Sequence, residues 1–509
     1  EACRLLGKFD ECRATYERAL LRHPHDSGIY NNLGNLYADA AQIDLSLDTY
    51  RKGIAICPDS TALHSNLLYT LQFHAGSTTE EVYAAHRQFN ETLCEPLRRA
   101  APPHDNDPSP ERRLRVAYFS PDFREHALGF YMLPLLTNHD KSQVEVFVYS
   151  AVQMPDFVTF RIRQVADYWM EYREWPDEQL AERLRADKIE IRGDGHLHRN
   201  GARPLVFARR PAPVQIAFAG YPGTSGITAI DYRLTDPYLE PEGGPRVPSA
   251  EKLLRMQTFW CYYPQVTDIP VAPPPAAKNG YVTFGNLNNF KKFNEGTFAL
   301  WARVLAAVPQ SRLVMLAAQG IHRQWATDIF ARHGIAVERI TFVPRQRQRS
   351  YMETYHTIDI GLDSFPYNGH TTSLDSFYMG VPVVTLIGQT PVSRAGYSQL
   401  RNLELPELAV PDHEDFIAVA AGLANDLPRL ATLRAGLRER LTRSPLMDGP
   451  RFAREVEAAY RLAWRNWCAT HPRAPYWTFA VRAPVSVRSS TMRVSGSTSS
   501  ERFVDSAGQ

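Results

Sequence analysis

Residues 355–382, YHTIDIGLDSFPYNGHTTSLDSFYMGVP, constrain the fold more than any other part of the chain. Ile358, Ile360 and Leu362 make a short apolar, β-branched run, which is what a strand buried in a parallel sheet requires. The polar turn SFPYNGH follows, Thr371 and Thr372 open a helix that Gly380 and Pro382 close, and residues 383–386 supply a second apolar run. In an open parallel sheet, ligands sit beyond the carboxyl ends of the strands, and the free N–H groups of the next helix attract phosphate. Here the helix start carries His370, Thr371 and Thr372, three side chains able to donate hydrogen bonds to a diphosphate, and Asp375 one turn on can accept bonds from sugar hydroxyls. The same residues also read as a plain capped helix, with Thr as N-cap and Asp in its first turn, so the rest of the chain must decide.

The α/β pattern occurs twice. Residues 114–119, LRVAYF, form a strand, an apolar helical stretch spans 131–136, and 144–149 alternates as a second strand. Asp122 and His126 then fall in the first strand-to-helix loop, where an imidazole can hold a carbonyl or act as a base near neutral pH. Residues 189–194 and the run RRPAPVQIAFAGYPGTSG continue this lobe, and Gly220, Gly223 and Gly226 let the backbone approach a ligand closely. After the Pro-rich linker IPVAPPPAAKNG a second lobe begins, with strands at 282–284, 313–316 and 340–342, a helix at 297–307, and the stretch 355–382. Its turn GNLNNFKK places Asn289 and Lys292 just after the first strand, where a lysine can neutralise a departing diphosphate. Two such lobes form a cleft between their sheet edges.

Ahead of the lobes, residues 27–60 fit the helix-turn-helix tetratricopeptide pattern through Tyr30, Leu33, Gly34, Tyr37, Ser46, Tyr50, Gly53 and Pro58. Tyr16, Ala19 and Pro24 match the end of a preceding repeat, and Leu67, Leu68 and Leu71 mark a capping helix. Such repeats either bind protein segments along a concave face or serve as packing. Residues 78–99 read as one amphipathic helix. The linker 101–110 contains Asp105-Asn106-Asp107, which looks like a metal-binding DxD but lies among prolines, away from any strand end, and so reads as a solvated loop. The division expected is 1–75 repeats, 76–112 linking helix and linker, 113–269 first lobe, 270–278 linker, 279–471 second lobe with a closing helix, and 472–509 a flexible tail.

The balance of 57 basic and 55 acidic residues argues against wholesale nucleic-acid binding, while leaving room for a local anion site. No apolar run approaches the ~20 residues needed to span a bilayer. Six scattered cysteines without a CxxC pair suit a reducing cytoplasm and exclude the usual zinc spacings.

With these parts in view, LRVAYFSPDFREH, RPAPVQIAFAGYPGTSG and LDSFPYNGHTTSLDS resemble the O-linked N-acetylglucosamine transferase family: tetratricopeptide-bearing glycosyltransferases with two Rossmann-like lobes of GT-B type. The likeness runs from the repeats to about Trp467. It implies an inverting, metal-independent transfer of N-acetylglucosamine from UDP-N-acetylglucosamine to Ser or Thr hydroxyls of proteins, with no cofactor. It places His126 at the donor sugar and phosphate, Asp122 as a candidate for proton removal, and Lys292 on the UDP leaving group. Asn289, Gln348, Tyr351 and Thr354 line the UDP site, together with His370, Thr371, Thr372 and Asp375. Gly220 and Pro222 join the substrate-binding set, and His74 in QFHAGS stands for the family's other active-site histidine. The chain departs from the animal pattern where Asn289 replaces Gln, Gln348 Lys, Tyr351 His and Thr354 Arg. Phe130 stands where a second His can occur, and Arg192-Gly193 interrupts a normally apolar strand. The resemblance implies a UDP-sugar donor and protein acceptors as partners, the latter engaged through the repeats, and neither nucleic acid nor membrane. Two other readings stay open: a non-catalytic scaffold that senses nucleotide sugar, and an epimerase or hydrolase acting on UDP sugars. Lys292 beside the HTT turn favours an enzyme.

Overall fold

The computed structural model describes residues 8–199, 201–221, 223–244 and 247–472. The tail beyond 472 and Pro222 lie outside them.

Helices Phe9–Arg22, Ser27–Asp39, Ile43–Ile56 and Thr61–Leu71 form the amino-terminal region. Small residues let the second and third close on each other: a side chain at Gly34 would run into the Tyr50 ring, and Ser46 Oγ donates to Gly34 O at 2.8 Å. The single helix expected over 78–99 is interrupted. Helix Thr79–Phe89 passes into a π-turn at Asn90–Cys94 before Glu95–Arg99. At that turn Asn90 Oδ1 accepts from the Thr228 backbone N–H at 3.0 Å, which ties the helix to the first lobe. The linker 101–110 is pinned instead of loose. Asp105 pairs with Lys188, Asn106 donates to the Lys188 and Ile189 carbonyls, and Ser109 O accepts from Trp464 Nε1.

The first lobe is a seven-stranded parallel sheet of β1 Leu114–Ser120, β2 Val144–Ser150, β3 Tyr168–Glu171, β4 Ile191–Asp194, β5 Val214–Ala217, β6 Tyr232–Thr235 and β7 Lys252–Arg255. The order is β3-β2-β1-β4-β5-β6-β7. Strands β3, β6 and β7 are not visible as apolar runs. β3 and β7 are short outer strands, and in β6 Arg233 is buried because Glu240 grips it through two bonds of 2.7 Å. Arg192 does not break β4: its guanidinium is buried between the rings of Phe119 and Phe207, 4.5 and 3.5 Å from their centres.

The second lobe holds β8 Thr283–Asn286, β9 Arg312–Leu316, β10 Ile340–Val343, β11 Ile360–Leu362, β12 Val383–Leu386 and β13 Ala409–Val410, in the order β10-β9-β8-β11-β12-β13. The stretch that anchored the sequence reading is β11, helix Thr371–Tyr378 and β12. Each sheet reverses direction of winding beside its first strand, at β1/β4 and at β8/β11, and the loops leaving those four strand ends are where a ligand fits.

Two features tie the lobes together. The Pro-rich linker is held by the second lobe, with Arg434 Nε donating to Ala272 O at 2.6 Å and Arg438 Nη1 to Ile269 O at 2.8 Å. The closing helix Gly449–Thr470, expected within the second lobe, packs instead on the first, where His139 Nδ1 lies 2.7 Å from Glu457 Oε1. Its buried face of Phe452, Val456, Tyr460 and Trp464 is what that lobe covers.

Where the helical region meets the first lobe, His86, His198 and Tyr221 are buried together. His86 Nε2 is 3.0 Å from the Tyr221 hydroxyl, and His198 Nε2 is 2.7 Å from Ser225 O. Burial lowers the pKa of His86 to about 4 and of His198 to about 3. Both rings are therefore neutral in the fold, and an unfolded chain would protonate them below about 6.5. The stability they contribute is complete above that value and is lost as the pH falls toward 4 for His86 and toward 3 for His198, by up to about 1.4 kcal/mol per pH unit for each. Urea unfolding of a His198→Gln variant is expected to lose less midpoint between pH 7 and pH 5 than the parent chain; parallel midpoints would contradict this.

Candidate active site

The four switch-point loops and one helix of the amino-terminal region converge on a cleft of about 310 Å³. The second lobe contributes Asn288, Asn289, Lys291 and Lys292 after β8, and Tyr367 with His370, Thr371 and Thr372 after β11. The first lobe contributes Leu128, Tyr131, Arg199 and Gly220; Trp260 comes from the inter-lobe connection and Tyr69 from helix Thr61–Leu71. Among the described residues lining the cleft there is no carboxylate.

The turn after β11 is built on a buried carboxylate. Asp363 Oδ1 accepts from Ser364 N at 2.8 Å and Gly369 N at 2.6 Å, and Oδ2 accepts from Thr385 Oγ1 at 2.7 Å. Burial raises its pKa to about 6 against those bonds. Asn286 Nδ2 donates to Leu362 O at 2.6 Å and fixes the end of β8 to the end of β11. Lys292 then reaches across, donating to Asn368 O at 2.7 Å and Asn288 Oδ1 at 3.2 Å, 4.5 Å above the Tyr367 ring. Burial pulls Lys292 down to about 7, with Asp363 opposing.

No side chain caps the helix start at Thr371, so its first N–H groups sit beside the threonine hydroxyls at the cleft. His370 is wedged between Tyr367 and Trp260, with ring centres 4.8 and 5.2 Å away. Burial, then the Lys292 charge, hold it well below its ordinary pKa, while a bond to the Val392 backbone works the other way. A ring nitrogen bonded to a carbonyl carries the proton, so the buried Nε2, which has no partner among the described residues, offers a lone pair. Of the three donors expected at this helix start, His370 is thus an acceptor, and the threonines and backbone N–H groups are the donors.

On the first lobe His126 caps helix Ala127–Asn138, its Nδ1 accepting from Leu128 N at 3.1 Å, which leaves the proton on Nε2. Burial pulls its pKa to about 4 although Asp122 Oδ2 lies 3.4 Å from Nδ1. Asp122 Oδ1 accepts from Arg124 Nη2 at 2.9 Å, and His196, not among the expected site residues, stands behind with Nε2 2.8 Å from Ser120 Oγ. His126 is at the rim, one residue before the cleft wall. Gly220 must be glycine, because a Cβ there would fall 1.6 Å from Gly195 O.

Other expected residues lie apart from this cleft. Asp375 is buried and accepts from Tyr262 and Tyr351 hydroxyls at 2.7 and 3.1 Å, and burial raises its pKa to about 6; its oxygens are turned to tyrosines, not to open space. Thr354 Oγ1 donates to Ser350 O at 2.8 Å, within the second lobe. Gln348 Nε2 is buried with no partner among the described residues. His74 is drawn into the helical region by Ser77 Oγ at 2.7 Å and Asp44 Oδ1 at 3.0 Å, and it does not line the cleft. The sequence reading missed Tyr69, Arg199, Lys291 and Trp260. The neighbour of Lys292 in GNLNNFKK was a signal for Lys291; nothing local marks Tyr69, which reaches the cleft only through tertiary packing.

The family model described as Glycosyl transferase family 41 matches residues 57–261 and 276–456. A Solanum lycopersicum protein named "Probable UDP-N-acetylglucosamine--peptide N-acetylglucosaminyltransferase SPINDLY" is 35% identical over 425 residues, 82% of this chain and 45% of that protein. A Caenorhabditis elegans protein named UDP-N-acetylglucosamine--peptide N-acetylglucosaminyltransferase is 25% identical over 476 residues, 70% of this chain and 41% of that protein. The chain thus spans less than half the length of these relatives. A solved structure of a lysine-to-methionine mutant of the Thermobaculum terrenum O-GlcNAc transferase is similar at a TM-score of 0.85 and 32% identity, over 92% of this chain and 90% of that one.

Inorganic pyrophosphate is expected to bind the cleft. Calorimetry should show Thr372→Ala weakening it by roughly 1 to 3 kcal/mol, the range for a charged hydrogen bond. Unchanged affinity in a folded variant would place the anion elsewhere.

Proposed function

The chain belongs to glycosyl transferase family 41, and from that membership we propose that it transfers N-acetylglucosamine from UDP-N-acetylglucosamine to Ser or Thr hydroxyls of proteins, with inversion and without a metal ion. The observation that carries this reading is Lys292, a cation held in the cleft beside the uncapped helix start and the Thr371 and Thr372 hydroxyls. In the proposed reaction the acceptor oxygen attacks the anomeric carbon from the face opposite the phosphate. The carbon–oxygen bond to the phosphate breaks with its electron pair leaving on UDP, and Lys292 and the helix start stabilise that charge as it forms. His126 Nε2–H orients the donor sugar and its phosphate, and His370 Nε2 accepts a sugar hydroxyl. Asp122, the carboxylate beside His126, takes the acceptor proton. The family resemblance assigns Gln348, Tyr351, Thr354 and Asp375, which lie apart from the cleft, to the uridine side, where Gln348 brings a buried amide Nε2 without a partner among the described residues.

In the proposed reaction the cleft's cations and N–H groups neutralise the diphosphate, the role a metal ion would otherwise fill. The tetratricopeptide helices, one of which lines the cleft through Tyr69, would deliver the protein acceptor. A reducing, cytoplasmic setting fits the free thiols of Cys12, Cys57, Cys94, Cys261 and Cys468. No helix among the described residues is long and apolar enough to cross a membrane.

The test is turnover across a panel of UDP- and GDP-sugars, with and without acceptor protein. Sugar attached to protein from UDP-N-acetylglucosamine is the expected result. Product without acceptor would indicate an epimerase or hydrolase, and binding without turnover a sensor.

Lys292→Met is expected to lower kcat by at least about 100-fold while changing donor affinity much less, because the charge matters most as the diphosphate departs. A raised KM with unaltered kcat would make Lys292 a ground-state ligand. In the parent chain Lys292 titrates at about 7. Because the protonated lysine is needed as the diphosphate departs, kcat/KM is expected to be highest below that value and to fall by up to about tenfold per unit as the pH rises through it; the profile of Lys292→Met should show this slope flattened.

A further inference from the structure

Lys291 and Arg199 come from loops of opposite lobes, after β8 and β4, and both reach Tyr69 on the helical wall of the cleft. Lys291 Nζ is 4.5 Å from the Tyr69 ring centre and 4.9 Å from that of Phe73. Burial would raise the Tyr69 phenol, but Lys291 and Arg199 outweigh it and bring its pKa below the ordinary value. Among the described residues neither cation forms an ion pair with a carboxylate, and no carboxylate lines the cleft. Lys291 lies over the faces of Tyr69 and Phe73, Arg199 acts on the same Tyr69, and among the described residues no anion sits between the two cations.

Charge matching suggests what that anion is. Each phosphate of a nucleotide sugar carries a single negative charge, and Lys292, the Thr371 and Thr372 hydroxyls and the open helix start already stand ready for them. Lys291 and Arg199 are surplus to that need, and they border the wall supplied by the helical region, the side from which a protein acceptor arrives. We propose that Tyr69, Lys291 and Arg199 form an acceptor-selecting subsite that takes an Asp or Glu side chain near the hydroxyl being glycosylated, so that the preferred acceptors are acidic segments. This deepens the transferase reading and rests on it for the identity of the acceptor. The Lys291 and Arg199 charges are both felt at Lys292, and that of Arg199 also at His370, so the donor's own phosphates are the other source of the same chemistry, and the experiment must separate them.

The probes are three Ser-containing peptides, identical except that the residues flanking the serine are Asp/Glu, Asn/Gln or Lys/Arg. Their binding to the full chain saturated with UDP is read by fluorescence anisotropy, independently of turnover, and kcat/KM for transfer and UDP affinity are measured alongside. The acidic peptide is expected to bind about tenfold more tightly than its neutral counterpart at low salt, with the basic one weakest. Lys291→Glu and Arg199→Glu are expected to reverse that order, a gain for the basic peptide that misfolding cannot produce, with UDP affinity kept within about twofold. Equal binding of the three peptides, no binding of any, or an order that survives Lys291→Glu overturns the proposal. So does a loss of UDP affinity of about tenfold or more in the variants, which would assign the cations to the donor. Transfer to neutral and acidic peptides alike would sink the subsite and leave the transferase standing; tight acidic-peptide binding without any transfer would do the reverse.

Discussion

A lysine ammonium kept out of bulk water is the constraint from which the rest of this site follows. Burying Lys292 costs free energy that a direct ion pair would normally offset, yet its bonds go to a carbonyl and a side-chain amide oxygen, with Asp363 acting only at one remove. The group is left near its neutral point, so an arriving diphosphate gains from it and also settles its charge. The fold delivers this arrangement economically. Asp363 bends the turn after β11 through two backbone N–H groups, the bent turn presents Asn368 O, and the Asn286 bond to Leu362 O holds the β8 loop within reach of it. The residues that shape the turn are thus the ones that position the cation.

The helical region is a wall of the same site, not an appendage to it. Phe73, just beyond helix Thr61–Leu71, stacks on Tyr367 at 4.7 Å and 14°, and Lys292 lies over that same Tyr367 ring. Gln72 donates to the Tyr221 hydroxyl at 2.7 Å beside the buried His86 and His198. Packing therefore runs from the helical region through one aromatic ring to the lysine.

Much of this was legible because it is local. The strand-turn-helix at β11, the glycine-rich turn with Gly220 and the strand after which Lys292 follows are periodic or punctuated in ways that sequence displays. What escaped depended on distant partners. β6 hides behind Arg233, whose charge is matched by Glu240; the π-turn at Asn90 exists for a bond to Thr228; the closing helix chooses the first lobe through a face that any lobe could have covered. At the site itself, the tautomer of His370 is set by Val392, the oxygens of Asp375 by Tyr262 and Tyr351, and the placement of His74 by Asp44. None of these partners is a sequence neighbour of the residue whose role it decides.

The central claim is that Lys292 and the start of helix Thr371–Tyr378 form one diphosphate site, and a crystal structure of the chain with UDP bound tests it most directly. The account predicts phosphate oxygens within about 3 Å of Lys292 Nζ and of the Thr371 or Thr372 hydroxyl and backbone N–H groups. UDP bound in the cleft with Lys292 still bonded only to Asn368 and Asn288, and no phosphate at the helix start, would contradict it.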